Sequence, residues 1–166
     1  ITMTKYDKQQ VGATLKGAEF TLYSVDMDQA ETVGVERART LFGTGTATTN
    51  DDGKISFGAE GHAMSNCTLY QLVESKAPEG YAAAEPKWIM LKGNASDEHY
   101  QAALEQAKRI VGDAEVIGDD KKDEIWVYDD RLTGSAVIKA KKVLKGGTFK
   151  AGQFSFALKN AEGKVL

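Results

Sequence analysis

The chain has 166 residues and a mass of 18.0 kDa, with 42% apolar and 27% charged residues, a net charge of −3 and a pI near 5.5. That length supports a domain with its own core, and the single cysteine, Cys67, excludes an intrachain disulfide. Apolar runs of only a few residues leave no membrane-spanning segment, nothing at Ile1 reads as a signal peptide, the acidic balance argues against nucleic-acid binding, and two histidines with one cysteine leave little for a zinc or thiol site.

Seventeen glycines against two prolines, with many Thr and Val residues, point to strands joined by tight turns. Ile1-Thr2-Met3-Thr4-Lys5 alternates with the period of a strand, and Ala18-Glu19-Phe20-Thr21-Leu22-Tyr23 repeats the pattern. Asn50-Asp51-Asp52-Gly53-Lys54 predicts a hairpin turn leading into a strand at Ile55-Ser56-Phe57; it lacks the ligand spacing of a calcium loop. Thr68 to Glu74 is the next strand, closed by Ala77-Pro78-Glu79-Gly80, and Lys87 to Leu91 and Glu124 to Tyr128 are two more. Between these last two, Ser96 is placed to cap a helix with Asp97 and Glu98 in its first turn. Tyr100, Leu104, Ala107 and Val111 recur at helical spacing before Gly112. The expectation is an all-β antiparallel sandwich with one inserted amphipathic helix near residues 97–111, its apolar stripe lying on the sandwich as a lid.

Charge divides the chain. Residues 1–133 carry 14 Lys/Arg against 23 Asp/Glu, and residues 134–166 carry seven Lys against the single acid Glu162. A boundary is expected near Arg131-Leu132-Thr133-Gly134-Ser135, giving one domain over 1–133 and the opening strands of a second, truncated β-sandwich over 134–166, a stretch too short to fold alone.

Strand parity then singles out three ionisable residues. Side chains two apart share a face, so the inward stripe of Ile1 and Met3 continues to Lys5. That of Tyr70 and Leu72 continues to Glu74, and that of Ile125 and Val127 to Asp129. A buried charge demands a partner or a shifted pKa. Burial favours a neutral amine, and a second acid nearby favours a protonated carboxyl. Such a pair can condense to an amide and release water while the other acid carries the proton. The alternatives at this point are a buried ion pair or strand ends that reach solvent.

The same residues carry a resemblance. Leu15-Lys16-Gly17-Ala18-Glu19-Phe20-Thr21-Leu22-Tyr23 follows Lys5. The box Tyr70-Gln71-Leu72-Val73-Glu74-Ser75-Lys76-Ala77-Pro78-Glu79-Gly80-Tyr81 fits Tyr-x-Leu-x-Glu-x-x-Ala-Pro-x-Gly-Tyr. Residues 1 to about 131 thereby resemble the CnaB-type isopeptide domains of Gram-positive surface adhesins and pilins. The resemblance implies an immunoglobulin-like sandwich with a self-formed bond between Lys5 and Asp129, Glu74 as its proton shuttle, and no cofactor. Asp130 has the wrong parity, and the 97–111 helix departs from the family pattern. Ala136 to Gly146 and Phe149 to Leu158 are similar to the opening of another such domain, with Lys142 in the place of its cross-link lysine and Phe154, Phe156 and Leu158 as its core side.

The resemblance implies a stalk or shaft module of a cell-wall-attached pilin or adhesin. Its partners would be neighbouring domains or subunits of the same surface structure, and its chemistry a single condensation without turnover. The alternative is a ligand-binding adhesin domain holding a host protein or glycan. Cys67 lacks a thioester context and is expected to be a small buried apolar residue. His62 and His99 are expected at the surface without a metal, and Asp119 to Glu124 as a solvated loop. A glycosidase built on Glu74 and Asp129 would need an open cleft, which the parity of both acids opposes.

Overall fold

In the computed structural model, residues 1–58, 62–118, 122–133, 138–139, 141–148 and 150–165 are described. The chain divides into two units, Ile1–Thr133 and Gly134–Leu166. In the first, the strands are β1 (Thr2–Asp7), β2 (Glu19–Val25), β3 (Arg39–Thr48), β4 (Lys54–Ser56), β5 (Leu69–Lys76), β6 (Lys87–Leu91), β7 (Glu115–Ile117) and β8 (Glu124–Asp129). Helices α1 (Met27–Val33) and α2 (Val35–Ala38) lie between β2 and β3, and α3 (Glu98–Val111) between β6 and β7. Among the described residues the strands form two sheets, β4-β1-β8 and β3-β2-β5-β6-β7.

Alternation builds the space between the sheets. Met3, Ile125 and Val127 from one sheet meet Phe20, Leu22, Tyr70, Leu72, Ile89 and Ile117 from the other in one buried cluster. This is the all-β sandwich that the patterning predicts, with two differences. The pairs β1·β8 and β6·β7 are parallel rather than antiparallel. The turn at Asn50–Gly53 joins β3 to β4, which lie in different sheets, so it is not a hairpin. Asn50 still organises it: its side-chain oxygen accepts from Asp52 N and Lys54 N, and Gly53 takes φ +72°.

The inserted helix forms at Glu98–Val111, but Asp97 rather than Ser96 is its cap, accepting from His99 N at 2.9 Å. Ser96 instead turns to Asn94, one step too early to reach the first helical amides. Ala103 and Ala107 pack with Leu69 and Met90 of the larger sheet and with Met27, Ala30 and Ala38 of the short helices in a second buried cluster. The helix is therefore a lid, as its stripe predicts, although α1 and α2 share the task. Cys67 is half-buried beside this second cluster rather than fully buried, with its thiol near Asn66 Oδ1. His62 and His99 are exposed.

Within the second unit, the described residues contain one isolated bridge, Lys159 to Val165, closed by a turn at Asn160–Gly163. Ile138, Val143, Phe154, Phe156, Leu158 and Val165 are exposed. Ala136, Val137, Ala140 and Phe149, which the parity reading assigns to strands, lie outside the described residues, as do Gly134 and Ser135 at the expected boundary and Asp119, Asp120 and Lys121 of the expected loop.

Candidate functional site

Strands from both sheets bring three ionisable side chains into the main core. Lys5 and Asp129 lie on the adjacent parallel strands β1 and β8, where Lys5 is opposite Val127 and Asp7 opposite Asp129. Lys5 and Asp129 are thus diagonal neighbours on the inward face. Glu74 reaches them from β5 in the facing sheet, where it pairs in register with Phe20. The Lys5 ammonium donates to Glu74 Oε2 at 2.8 Å and also to Asp129 Oδ1. All three side chains are fully shielded from solvent. Lys5 Nζ also stands 5.2 Å from the centre of the Phe20 ring.

Backbone contacts hold each partner. Lys5 N donates to Gly53 O at 2.8 Å and Lys5 O accepts from Leu15 N at 2.9 Å, so the β1 backbone is clamped at this residue by the turns on either side. Glu74 Oε2 accepts a second hydrogen bond from Ala84 N at 2.7 Å. This comes from the segment that follows Ala77-Pro78-Glu79-Gly80, which gives the end of that box a local reason. Asp130, of opposite parity, is exposed and binds Lys8 at 2.8 Å.

The electrostatics are unequal. Burial first, and then the neighbouring Glu74 carboxylate, push Asp129 up to about 6 against the opposing pull of the Lys5 ammonium. Glu74 Oε1 and Asp129 Oδ2 are buried without a hydrogen-bond partner. Two carboxylates sharing one ammonium in a dry core therefore leave an excess of negative charge and two unsatisfied oxygens. A proton on Asp129 relieves the excess charge. A neutral carboxyl within contact distance of an amine, beside a second carboxylate that can take the amine's proton, is an arrangement suited to amide formation. Complete burial also denies this acid pair the substrate access that a glycosidase requires.

Parity also points to a fourth inward ionisable residue that sequence reasoning passed over. Asp7, two residues beyond Lys5, is buried, and one carboxyl oxygen accepts from Arg131 Nε at 2.9 Å, Arg131 Nη2 at 2.5 Å and the Tyr81 hydroxyl at 3.0 Å. Its other oxygen accepts from Gln9 N at 2.8 Å. Burial pushes Asp7 up, but the Arg131 guanidinium, Gln9 N–H and Tyr81 hydroxyl together hold it below the usual carboxylate range. The extended parity of β1 is the signal that would have found it.

The class defined by fold and site is a two-sheet β-sandwich with a lysine and two carboxylic acids sealed into its core. The family described as "SpaA: Prealbumin-like fold domain" matches residues 1–108, and the chain belongs to that family. No curated protein sequence matches it. Among solved structures it is similar to the Bacillus anthracis TIE protein, at 18% identity and a TM-score of 0.42 over 79% of this chain and 17% of that one. It is also similar to a variant of the shaft pilin SpaA from Lactobacillus rhamnosus GG, at 16% identity and a TM-score of 0.47 over 80% of this chain and 46% of that one. The group B streptococcus pilus 2b backbone protein matches at 24% identity and a TM-score of 0.43 over 80% of this chain and 40% of that one. The chain spans less than half the length of each of these proteins.

Proposed function

We propose that the first unit is a structural stalk or shaft module of a cell-wall-attached pilin or adhesin on a Gram-positive surface, locked by an amide between Lys5 Nζ and Asp129 Cγ. The observation that carries this reading is the sealed cluster of Lys5, Glu74 and Asp129 on three strands of a SpaA-family sandwich. The packing of α3 on the larger sheet favours the stalk over a ligand-binding role, because its apolar stripe is already occupied.

Glu74 takes a proton from the Lys5 ammonium across their 2.8 Å contact. The amine attacks the protonated Asp129 carboxyl, the C–N bond forms, and the carboxyl C–OH bond breaks. Water leaves with one of the amine's hydrogens, and Glu74 ends protonated beside a neutral amide. Four protons and zero net charge are conserved among the three groups. The product removes the buried ion pair between Lys5 and Glu74, so the core drives the reaction toward the amide. It is one event per molecule, without turnover and without a cofactor.

For residues 134–166 the proposal is the opening strands of a second sandwich, supported by the exposed Phe154, Phe156 and Leu158, which need a facing sheet to bury them. Lys142 would be its cross-link lysine. The test of the whole reading is peptide mapping of the native protein, in which one fragment should contain the segments around Lys5 and Asp129 joined. Recovery of both as separate unmodified peptides would overturn it.

A further inference from the structure

Lys5 has three carboxyl groups at inward positions around it, yet only two touch it. Glu74 and Asp129 bind its ammonium, whereas Asp7 faces the core from the same strand two residues on, a spacing of roughly 6–7 Å along the backbone. That distance is within the reach of a lysine side chain. What distinguishes Asp7 is that its acceptor positions are already filled. One oxygen takes both Arg131 nitrogens and the Tyr81 hydroxyl, and the other takes Gln9 N–H.

Arg131 follows Asp129 by two residues, and Asp7 follows Lys5 by two, and Asp7 is opposite Asp129 in the β1·β8 register. The Arg131–Asp7 pair therefore ties together the same two strands that carry the reacting groups, immediately beyond them. The tie is reinforced on each side. Arg131 N donates to Gln9 Oε1 at 3.1 Å, Lys8 N donates to Asp129 O at 3.0 Å, Leu132 N donates to Gly80 O at 2.8 Å, and Ala82 N donates to Asp130 O at 2.9 Å.

We infer that Arg131 is a positioning and selectivity residue for the cross-link: by occupying Asp7 it removes a competing carboxylate from Lys5 and leaves Asp129 as the acceptor. This rests on the cross-link proposed above. Without the guanidinium, a buried and uncompensated Asp7 carboxylate would recruit the Lys5 ammonium as its nearest inward cation. Lys5 would then be drawn from Asp129 and its proton held more tightly. Tyr81, three residues before the Ala84 amide that binds Glu74, shares in the same task.

The test uses the full chain isolated in denaturant before it folds, then diluted into buffer, with intact mass followed against time. Wild-type chain loses one water. Arg131→Gln is expected to lose it about tenfold more slowly. The double variant Asp7→Asn with Arg131→Gln is expected to return to within about twofold of wild type, because the competing charge is gone although the tie is gone too. A merely structural tie predicts the opposite, a double variant as slow as the single one. The double variant contains no lone buried carboxylate at this site and so decides the matter even if Arg131→Gln does not fold. An Arg131→Gln chain that links at the wild-type rate, or a double variant that stays slow, overturns the inference alone. A wild-type chain that keeps its full mass overturns the cross-link itself, and the inference with it.

Discussion

Two lysines in this chain place their ammonium groups against a phenylalanine ring in the same way. Lys5 Nζ is 5.2 Å from the Phe20 centroid and Lys142 Nζ is 5.1 Å from that of Phe154. Around Lys5, two sheets close over the contact and supply Glu74 and Asp129. Lys142 is exposed, and the only acid in residues 134–166 is Glu162. Both cation–ring contacts join residues close in sequence, Lys5 with Phe20 and Lys142 with Phe154. The carboxylates and the dry surroundings are not local: Glu74 is 69 residues from Lys5 and Asp129 is 124 residues away. The chemistry proposed for the first unit is thus a property of the completed sandwich rather than of the lysine and its nearest aromatic neighbour.

The largest effect that would break this contrast is removal of Glu74, the proposed proton acceptor. Glu74→Ala should fold without the amide and keep its full mass. A tie across 124 residues would otherwise constrain the unfolded chain, so its loss should cost roughly 4–5 kcal/mol in urea or guanidinium unfolding. Unchanged mass loss in Glu74→Ala would make this residue purely structural.

A smaller effect is expected where the backbone at Lys5 is held. Gly53 has φ +72°, and a Cβ there would stand 2.8 Å from Thr14 Cβ and 3.0 Å from Lys5 O. Gly53→Ala should therefore destabilise the first unit by about 1–3 kcal/mol and slow the condensation. Equal unfolding midpoints for variant and parent would contradict the clamp.

The pH dependence sharpens the same picture. The reactive form needs the proton on Asp129, whose carboxyl is pushed up to about 6. Linking after dilution from denaturant should be fastest below that pH and should fall by about tenfold per pH unit above it, because the protonated fraction falls by that factor. A rate that rises through the same window would show that the amine, not the acid, limits the step. The smallest effect belongs to the other lysine. Lys142→Met in this chain should leave the mass deficit intact and shift stability by no more than about 0.5 kcal/mol, the ordinary range for a surface change.

The site was largely legible in the sequence because it obeys strand parity. Ile125, Val127 and Asp129 are buried while Trp126 and Tyr128 are exposed, and Met3 and Lys5 share one buried face. Thr4 is buried as well, on the other face, so burial alone would not have shown that alternation in β1. The Lys87–Leu91 strand and the lid helix were also legible, from an apolar run and a 3.6-residue stripe. What was not legible depends on distant or weak signals. β3 is an edge strand of Thr and Gly whose residues are at most half-buried, so no hydrophobic alternation marks it. The three-residue β7 and the seven-residue α1 are too short for a period to emerge. Asp7 shares the inward parity of Lys5, but Arg131, the residue that makes its burial tolerable, lies 124 positions away. Parallel pairing of β1 with β8 leaves no local mark either, since no turn joins them.

The central claim is a covalent bond between Lys5 and Asp129, and the intact mass of the purified native protein tests it most directly. The account predicts a mass below that of the sequence by one water, roughly 18 Da, and the full sequence mass restored in Lys5→Met and in Asp129→Ala. A native protein at its full sequence mass would contradict it and would leave the sealed cluster as a buried ion pair.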